Sequence, residues 1–358
     1  ENMKKEIMAE LEKCYSIAPL MYQGKQHFLV AAEKKDRCIL FDAEGKEKAT
    51  IWEEPGGTMS MVQVPGTDGV FLATHQFYSP NDSKEAKIIL AAPDKEGSWS
   101  VKTLVELPFV HRFDLLTAGG KTYLIACTLK SGHAHKDDWS QPGKVYAAEL
   151  PGDLSGVDKE HPLELKVIKE GLLKNHGYYR VTEGNAVSAL VCSENGVFRF
   201  YPPKEAEKAW HVEQLLDTPA SDAVLFDLNG DGENELVVLS PFHGDEAAIY
   251  QKIEGHYQKV YQYPEKAEFL HAVWAGKLAG KPVVFLGHRR GARRLFVLFW
   301  TGSSYSFKTV DDDCGAANVC GYSWEGKDRL IAANREINQI ARYSFEDGDI
   351  EEGLCLKN

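Results

Sequence analysis

Three histidines and one aspartate stand at matching points along the chain. His111, His176 and His271 precede the glycines Gly120, Gly184 and Gly280 by eight or nine residues, and Asp222 precedes Gly232 by ten. Three imidazoles and a carboxylate make a complete ligand set for a divalent transition metal, with zinc and manganese the first candidates. A second group, Asp227, Asn229, Asp231 and Glu235, sets oxygen donors at alternate positions around Gly230 and Gly232. Such an oxygen cage suits calcium. The same side chains also cap a tight turn without any ion.

Other reactive groups follow these histidines. Tyr178, Tyr179 and Arg180 come after His176, and Arg289, Arg290, Arg293 and Arg294 come after His288. Gln76 and Tyr78 follow His75, Arg335 follows Asn334, and one loop carries His133, His135, Lys136 and Trp139. Metal, Arg, Tyr and His together suit proton abstraction next to a carbonyl or carboxylate. Tyr178, Tyr179, His75, His288, His135 and Arg289 are the catalytic candidates. Arg290, Arg180, Arg335 and Lys136 would hold carboxylates, and Trp139 would stack on a sugar ring. This is the chemistry of lyases, dehydratases and keto-sugar isomerases, and the expected ligand is a small polyhydroxylated or anionic sugar. Two alternatives stand beside it: a non-catalytic binding protein that holds a glycan or a protein, and an arginine run that is a solvated loop with counter-acids elsewhere.

The elements that must position these residues show as a repeat. Gly24, Gly69, Gly120, Gly184, Gly232, Gly280 and Gly326 each precede a compact apolar run, at steps of 45, 51, 64, 48, 48 and 46 residues. Short apolar runs between turn residues are strands. A period near fifty is that of a four-stranded propeller blade. The expected fold is all-β, a seven-bladed β-propeller with four-stranded antiparallel blades around a central channel. The blades fall roughly at 13–56, 57–109, 110–174, 175–219, 220–266, 267–313 and 314–358, with a polar surface insertion at 151–164. Ring closure falls to an N-terminal strand within 3–12 or to Ile350–Leu356, and the sequence does not choose.

In this register the inner strand of each blade starts on a polar residue: Ser16, Ser60, His111, His176, Asp222, His271 and Asn318. The second strands end at Glu33, His75, Thr128, Ser193, Pro241, His288 and Asn334, and the loops beyond add His133, His135 and His243. Eight of the twelve histidines therefore converge on one funnel, leaving His27, His161, His211 and His256 as ordinary surface residues.

Composition removes several function classes. The formal charge is −12 over 358 residues, with a pI near 5.5 and scattered Lys and Arg, which disfavours nucleic acid. No run of 18 apolar residues is present, so a membrane span is not expected. Seven cysteines without metal-finger spacing, and an N-terminus without an apolar signal region, read as a cytoplasmic protein without disulfides. No P-loop, dinucleotide motif or nucleophile elbow has a supporting context.

Two segments resemble known families. Asp227-Leu-Asn229-Gly-Asp231-Gly232-Glu-Asn-Glu235 resembles the loop between the first two strands of FG-GAP or VCBS repeat propellers. The other six turns keep the glycine and lose the acids, so the resemblance implies the fold for the whole chain and one calcium site at most. Leu270-His271-Ala-Val-Trp274-Ala-Gly276 with Gly287-His288-Arg289-Arg290-Gly291 resembles aldos-2-ulose dehydratase-type propellers and, more loosely, metal-dependent propeller polysaccharide lyases. That likeness implies a carbohydrate-acting carbon–oxygen lyase, without its substrate.

Overall fold

The computed structural model describes residues 3–204 and 209–350. Seven antiparallel sheets follow one another along the chain. Six have four strands, and blade 3 gains a short fifth at Lys130–Gly132. Among the described residues the only helical element is one 3-10 turn, Arg335–Ile337. None of the described residues form a helix long and apolar enough to cross a membrane.

The glycine turns explain why the repeat is visible. All seven have positive φ, from 60° at Gly184 to 91° at Gly232. Glycine enters that region without steric penalty, so it recurs wherever the first hairpin of a blade must turn. The strand after each turn is buried on both faces. In blade 6, Lys281–His288 is buried from Val283 onward. Seven apolar clusters fill the gaps between neighbouring blades. At about 1.5–3 kcal/mol for each fully buried Val, Leu, Ile or Phe, these seams hold the ring.

The ring is closed by the N-terminal strand Lys4–Glu10, which pairs antiparallel with Gln339–Phe345 as the outer strand of blade 7. Ile350 is buried in the seam between blades 6 and 7, and 351–358 lie outside the described residues. The 151–164 segment is more than a polar excursion. Leu154, Val157 and Leu163 pack into the seam between blades 2 and 3, and the Leu163 amide donates to the Leu104 carbonyl at 3.0 Å.

Candidate metal centre at one end of the channel

The inner strands are in register around the axis. Ser16, Arg112, Gly177, Asp222, Ala272 and Asn318 occupy one pairing level, opposite Ala31, Cys127, Cys192, Leu239, Gly287 and Ala333. The level one residue earlier holds Tyr15, His111, His176, Ser221, His271 and Ala317. In blades 1, 3 and 6 this residue is a β-bulge. Counting back from each glycine merges the two levels, because the first hairpins turn over different lengths: Phe226 pairs with Glu235 across eight residues in blade 5, and Leu278 with Lys281 across two in blade 6. Asp222 is therefore one step deeper in the channel than the three histidines, and Tyr15 is their true counterpart in blade 1.

Five of the polar side chains at the rim reach the backbone of the next blade. His111 Nδ1 lies 2.9 Å from the His176 carbonyl, His176 Nδ1 2.8 Å from that of Ser221, and His271 Nδ1 2.5 Å from that of Ala317. Ser60 Oγ donates to the His111 carbonyl and Asn318 Nδ2 to that of Tyr15. A carbonyl only accepts, so all three Nδ1 atoms carry the proton and each Nε2 presents a lone pair. Burial, with the Arg112 and Arg289 charges, holds His176 down to about 3 and His271 well below its ordinary value. Burial and the neighbouring His176 do the same for His111.

These lone pairs converge with one further imidazole. His243 sits in the left-handed region in the loop after the second strand of blade 5. Its ring is stacked between Phe242 and Phe269, with centroids at 3.8 and 4.3 Å. The ligand atoms of His176, His243 and His271 all lie within 4.8 Å of one another. Nitrogens at about 2.0–2.1 Å from a tetrahedral zinc stand roughly 3.4 Å apart. His176 Nε2 and His243 Nε2 are already 3.4 Å apart. Burial and His176 hold His243 down to about 2. The His271 Nε2 lone pair accepts a 2.7 Å hydrogen bond from the Tyr15 hydroxyl, whose pKa burial pushes up to about 12.

The expected set of His111, His176, His271 and Asp222 is thus regrouped. His111 stacks on His176 at 4.5 Å, but neither it nor Asp222 belongs to the converging group. Asp222 is buried, donated to by the Ala223 amide, and 3.7 Å from Arg112 Nη2. Burial pushes its carboxyl up to about 6 against the pull of Arg112. Gly177 makes this fit possible: a Cβ there would stand 2.6 Å from Asp222 Cα and 2.8 Å from Asp222 Oδ1. His243 was legible as a funnel loop residue. Tyr15 had no signal, since a bulge leaves none.

The remaining candidates are spread over the structure. The Tyr178 hydroxyl and the Arg180 fork both bind Asp114 inside the channel. Tyr179 packs between blades 4 and 5. His75 stands in a separate groove with Lys34, Lys35 and Lys87. His288 commits both ring nitrogens to local backbone, at 2.9 Å to the Arg290 carbonyl and 3.0 Å to the Arg294 amide. His135 and Lys136 are exposed. Trp139 lies under the buried Lys130 ammonium at 4.5 Å and packs against Phe242.

Arg289 and Arg335 share Glu336, and Arg335 also binds Glu33. Arg293 pairs with Asp313 and Arg294 with Asp312. Arg290 lies over the Phe269 ring. The arginine run is therefore largely neutralised by acids from other loops, as the solvated-loop alternative expects. His27, placed on the surface by the sequence, is buried against Tyr22.

In the blade 5 turn, the ligand atoms of Asp227, Asp231 and Glu235 lie within 4.8 Å of one another. Their oxygens already accept backbone amides. Asp227 takes those of Gly230 and Gly232, and Glu235 those of Leu228 and Asn229. Burial pushes the Glu235 carboxyl up to about 7. The folded state therefore keeps a proton that the unfolded chain loses near pH 4.5, and stability falls as pH rises between those values. Glu235→Gln is expected to remove that decline and to stabilise by on the order of 2–3 kcal/mol at pH 8. Urea midpoints at pH 5 and pH 8 check it; an equal slope in both proteins rejects it.

No protein-family model and no curated protein matches the chain. Solved structures do. The β-propeller domain of Myceliophteria thermophila Cps50 (Swd1) aligns with a TM-score of 0.60 and 10% identity, over 95% of this chain and 99% of that one. BBS1N in complex with ARL6DN aligns at 0.56 and 10% identity, over 96% of each chain. A putative 6-phosphogluconolactonase from Bacteroides uniformis aligns at 0.52 and 15% identity, over 92% and 91%. With the seven sheets described above, these likenesses show one thing about the chain: its fold is a seven-bladed β-propeller.

Proposed function

We propose that the protein is a metal-dependent lyase or dehydratase acting on a small carbohydrate derivative, with a divalent zinc or manganese ion on His176, His243 and His271. One observation carries this reading: three neutral imidazoles, two buried and one half-buried, converge at one end of the channel, the buried pair with Nδ1 locked on backbone carbonyls. The carbonyl–histidine pairs fix tautomer and ring orientation, as outer partners of metal-binding histidines do. A bound ion would polarise a substrate carbonyl. Asp222, with its pKa near 6, suits the acceptor of the adjacent proton. That proton then leaves with the departing hydroxyl as water. The blade 6 likeness to dehydratase-type propellers supports the same class.

A second reading is a non-catalytic binding propeller in which these rings seal one end of the channel. The Tyr15 hydroxyl on His271 Nε2 and the Phe242–His243–Phe269 stack favour it. Metal analysis separates the two. The lyase reading expects about one zinc or manganese per chain, removed by chelator, and chelator-sensitive formation of an ultraviolet-absorbing enone from 2-keto sugars or sugar acids. Protein that stays metal-free after exposure to either ion, with unchanged thermal stability, leaves the binding reading.

A further inference from the structure

The channel beside the histidines holds two polar groups without a hydrogen-bond partner among the described residues. A cavity of about 540 Å³ runs from Ser16, Ser60 and Asn318 at the histidine end to Met21 and Gln63 at the glycine-turn end. Arg112 lines it, and Arg112 Nε is buried without a hydrogen-bond partner. The nearest acid is Asp222, at 3.7 Å from Nη2, beyond hydrogen-bond reach. Ser16 lines the same cavity at the same pairing level, is only 3% exposed, and its Oγ is also buried and unpartnered.

A largely buried guanidinium whose Nε lacks a hydrogen bond is costly, and folded chains keep such groups rarely and for use. The rest of the channel does not supply the missing acceptor. Asp114, the other carboxylate on the wall, is already taken by the Arg180 fork and the Tyr178 hydroxyl. Ser60 and Asn318 donate to backbone carbonyls. All the unsatisfied groups named here are donors. A hydroxyl also accepts, but Arg112 does not, so the complement must be an acceptor, and a negative one suits a guanidinium that Asp222 meets only at 3.7 Å.

We propose that the channel is an oxyanion site, in which the carboxylate or phosphate of a small ligand lodges against Arg112 with Ser16 as its hydroxyl donor. This deepens the reading of the channel as a ligand site, and it gives the substrate class as an acidic or phosphorylated small molecule. It needs no metal, so the two proposals fail separately.

Calorimetry on chelator-treated protein with inorganic phosphate and with malonate tests it. One saturable site for at least one of them is expected, and the tighter of the two identifies the group. Arg112→Met should weaken that binding roughly tenfold or more, the worth of a hydrogen bond to a charged group. Ser16→Ala removes a hydroxyl that bonds to nothing in the fold. It should leave the melting temperature unchanged and weaken the anion by roughly three- to tenfold. Absence of saturable binding of either anion, or equal affinity in wild type and Ser16→Ala, overturns the proposal and leaves a channel filled by water only. Binding of zinc or manganese without anion binding sinks this inference alone. Anion binding without metal binding sinks the metal centre alone.

Discussion

Removal of residues 1–10 is expected to unfold the protein or leave it without a cooperative transition at 25 °C. The strand Lys4–Glu10 is the outer edge of blade 7, paired from Lys4↔Ser344 to Glu10↔Gln339 with one bulge. Its own side chains are only partly buried, so apolar burial is not its main contribution. It fixes two distant parts of the chain instead. Lys5 reaches Asp311 at 2.6 Å, and Glu6 holds Arg342, which in turn donates to the Ala43 carbonyl. Without it, the Gln339–Phe345 strand becomes an open edge.

Six paired positions at about 0.5–1.5 kcal/mol per hydrogen bond sum to on the order of 5 kcal/mol, against a total stability of about 5–15 kcal/mol for a typical domain. Thermal unfolding of a chain starting at Leu11, alone and with a peptide of residues 3–10 added, measures this. An unchanged melting temperature in the truncated chain would reject closure by this strand. Acid should loosen the same seam. Lys4 and Arg342 hold the Glu6 carboxyl down to about 2, so its contribution is full above the unfolded value of 4.5 and is lost as pH falls toward 2.

How much of this was legible follows from which forces act locally. The seven turns were readable because each needs a positive φ that glycine alone takes cheaply, and because the strand behind each turn is apolar on both faces. In blade 5 the inner strand starts at the expected Asp222, and the second strand ends at Ser240, one residue before the expected Pro241. The closing strand was readable only as one of two candidates, since an outer strand with an alternating, half-exposed face looks like any surface hairpin and nothing in its pattern sets 3–12 above Ile350–Leu356. The site was readable to its rim and no further. The first turn of blade 5 spans eight residues between Phe226 and Glu235 against two in blades 4 and 6, and that difference in count hides the level that separates Asp222 from the histidines. The arginines misled for a different reason. Glu336 neutralises Arg289 from 47 positions away and Glu33 meets Arg335 from 302, separations at which one sequence carries no pairing signal.

The regrouped ligand set yields the second large effect. His243→Ala is expected to weaken zinc or manganese binding by at least about 100-fold, whereas His111→Ala retains it within about tenfold. A residue that only orients a ligand changes metal affinity by about 10–100-fold, and loss of a ligand itself goes beyond that. His243 comes from a loop and is held by ring stacking, so its removal leaves the strand-borne rings in place. His111 is bound to the His176 carbonyl and touches the group only through its stack on His176. The original set of His111, His176, His271 and Asp222 predicts the reverse order, so the pair of variants decides between the two.

The pH profile adds an independent check. An ordinary histidine site loses metal as pH falls through about 6.5, because protons compete for the lone pairs. Here burial and the neighbouring arginines already keep His176 near 3 and His243 near 2. Protons therefore compete only far below neutrality, and affinity should be nearly flat from pH 8 to pH 5. A tenfold or larger loss of affinity across that interval, with wild-type fold retained by circular dichroism, would show that the ion is held by exposed imidazoles elsewhere, such as His135, and not at the end of the channel.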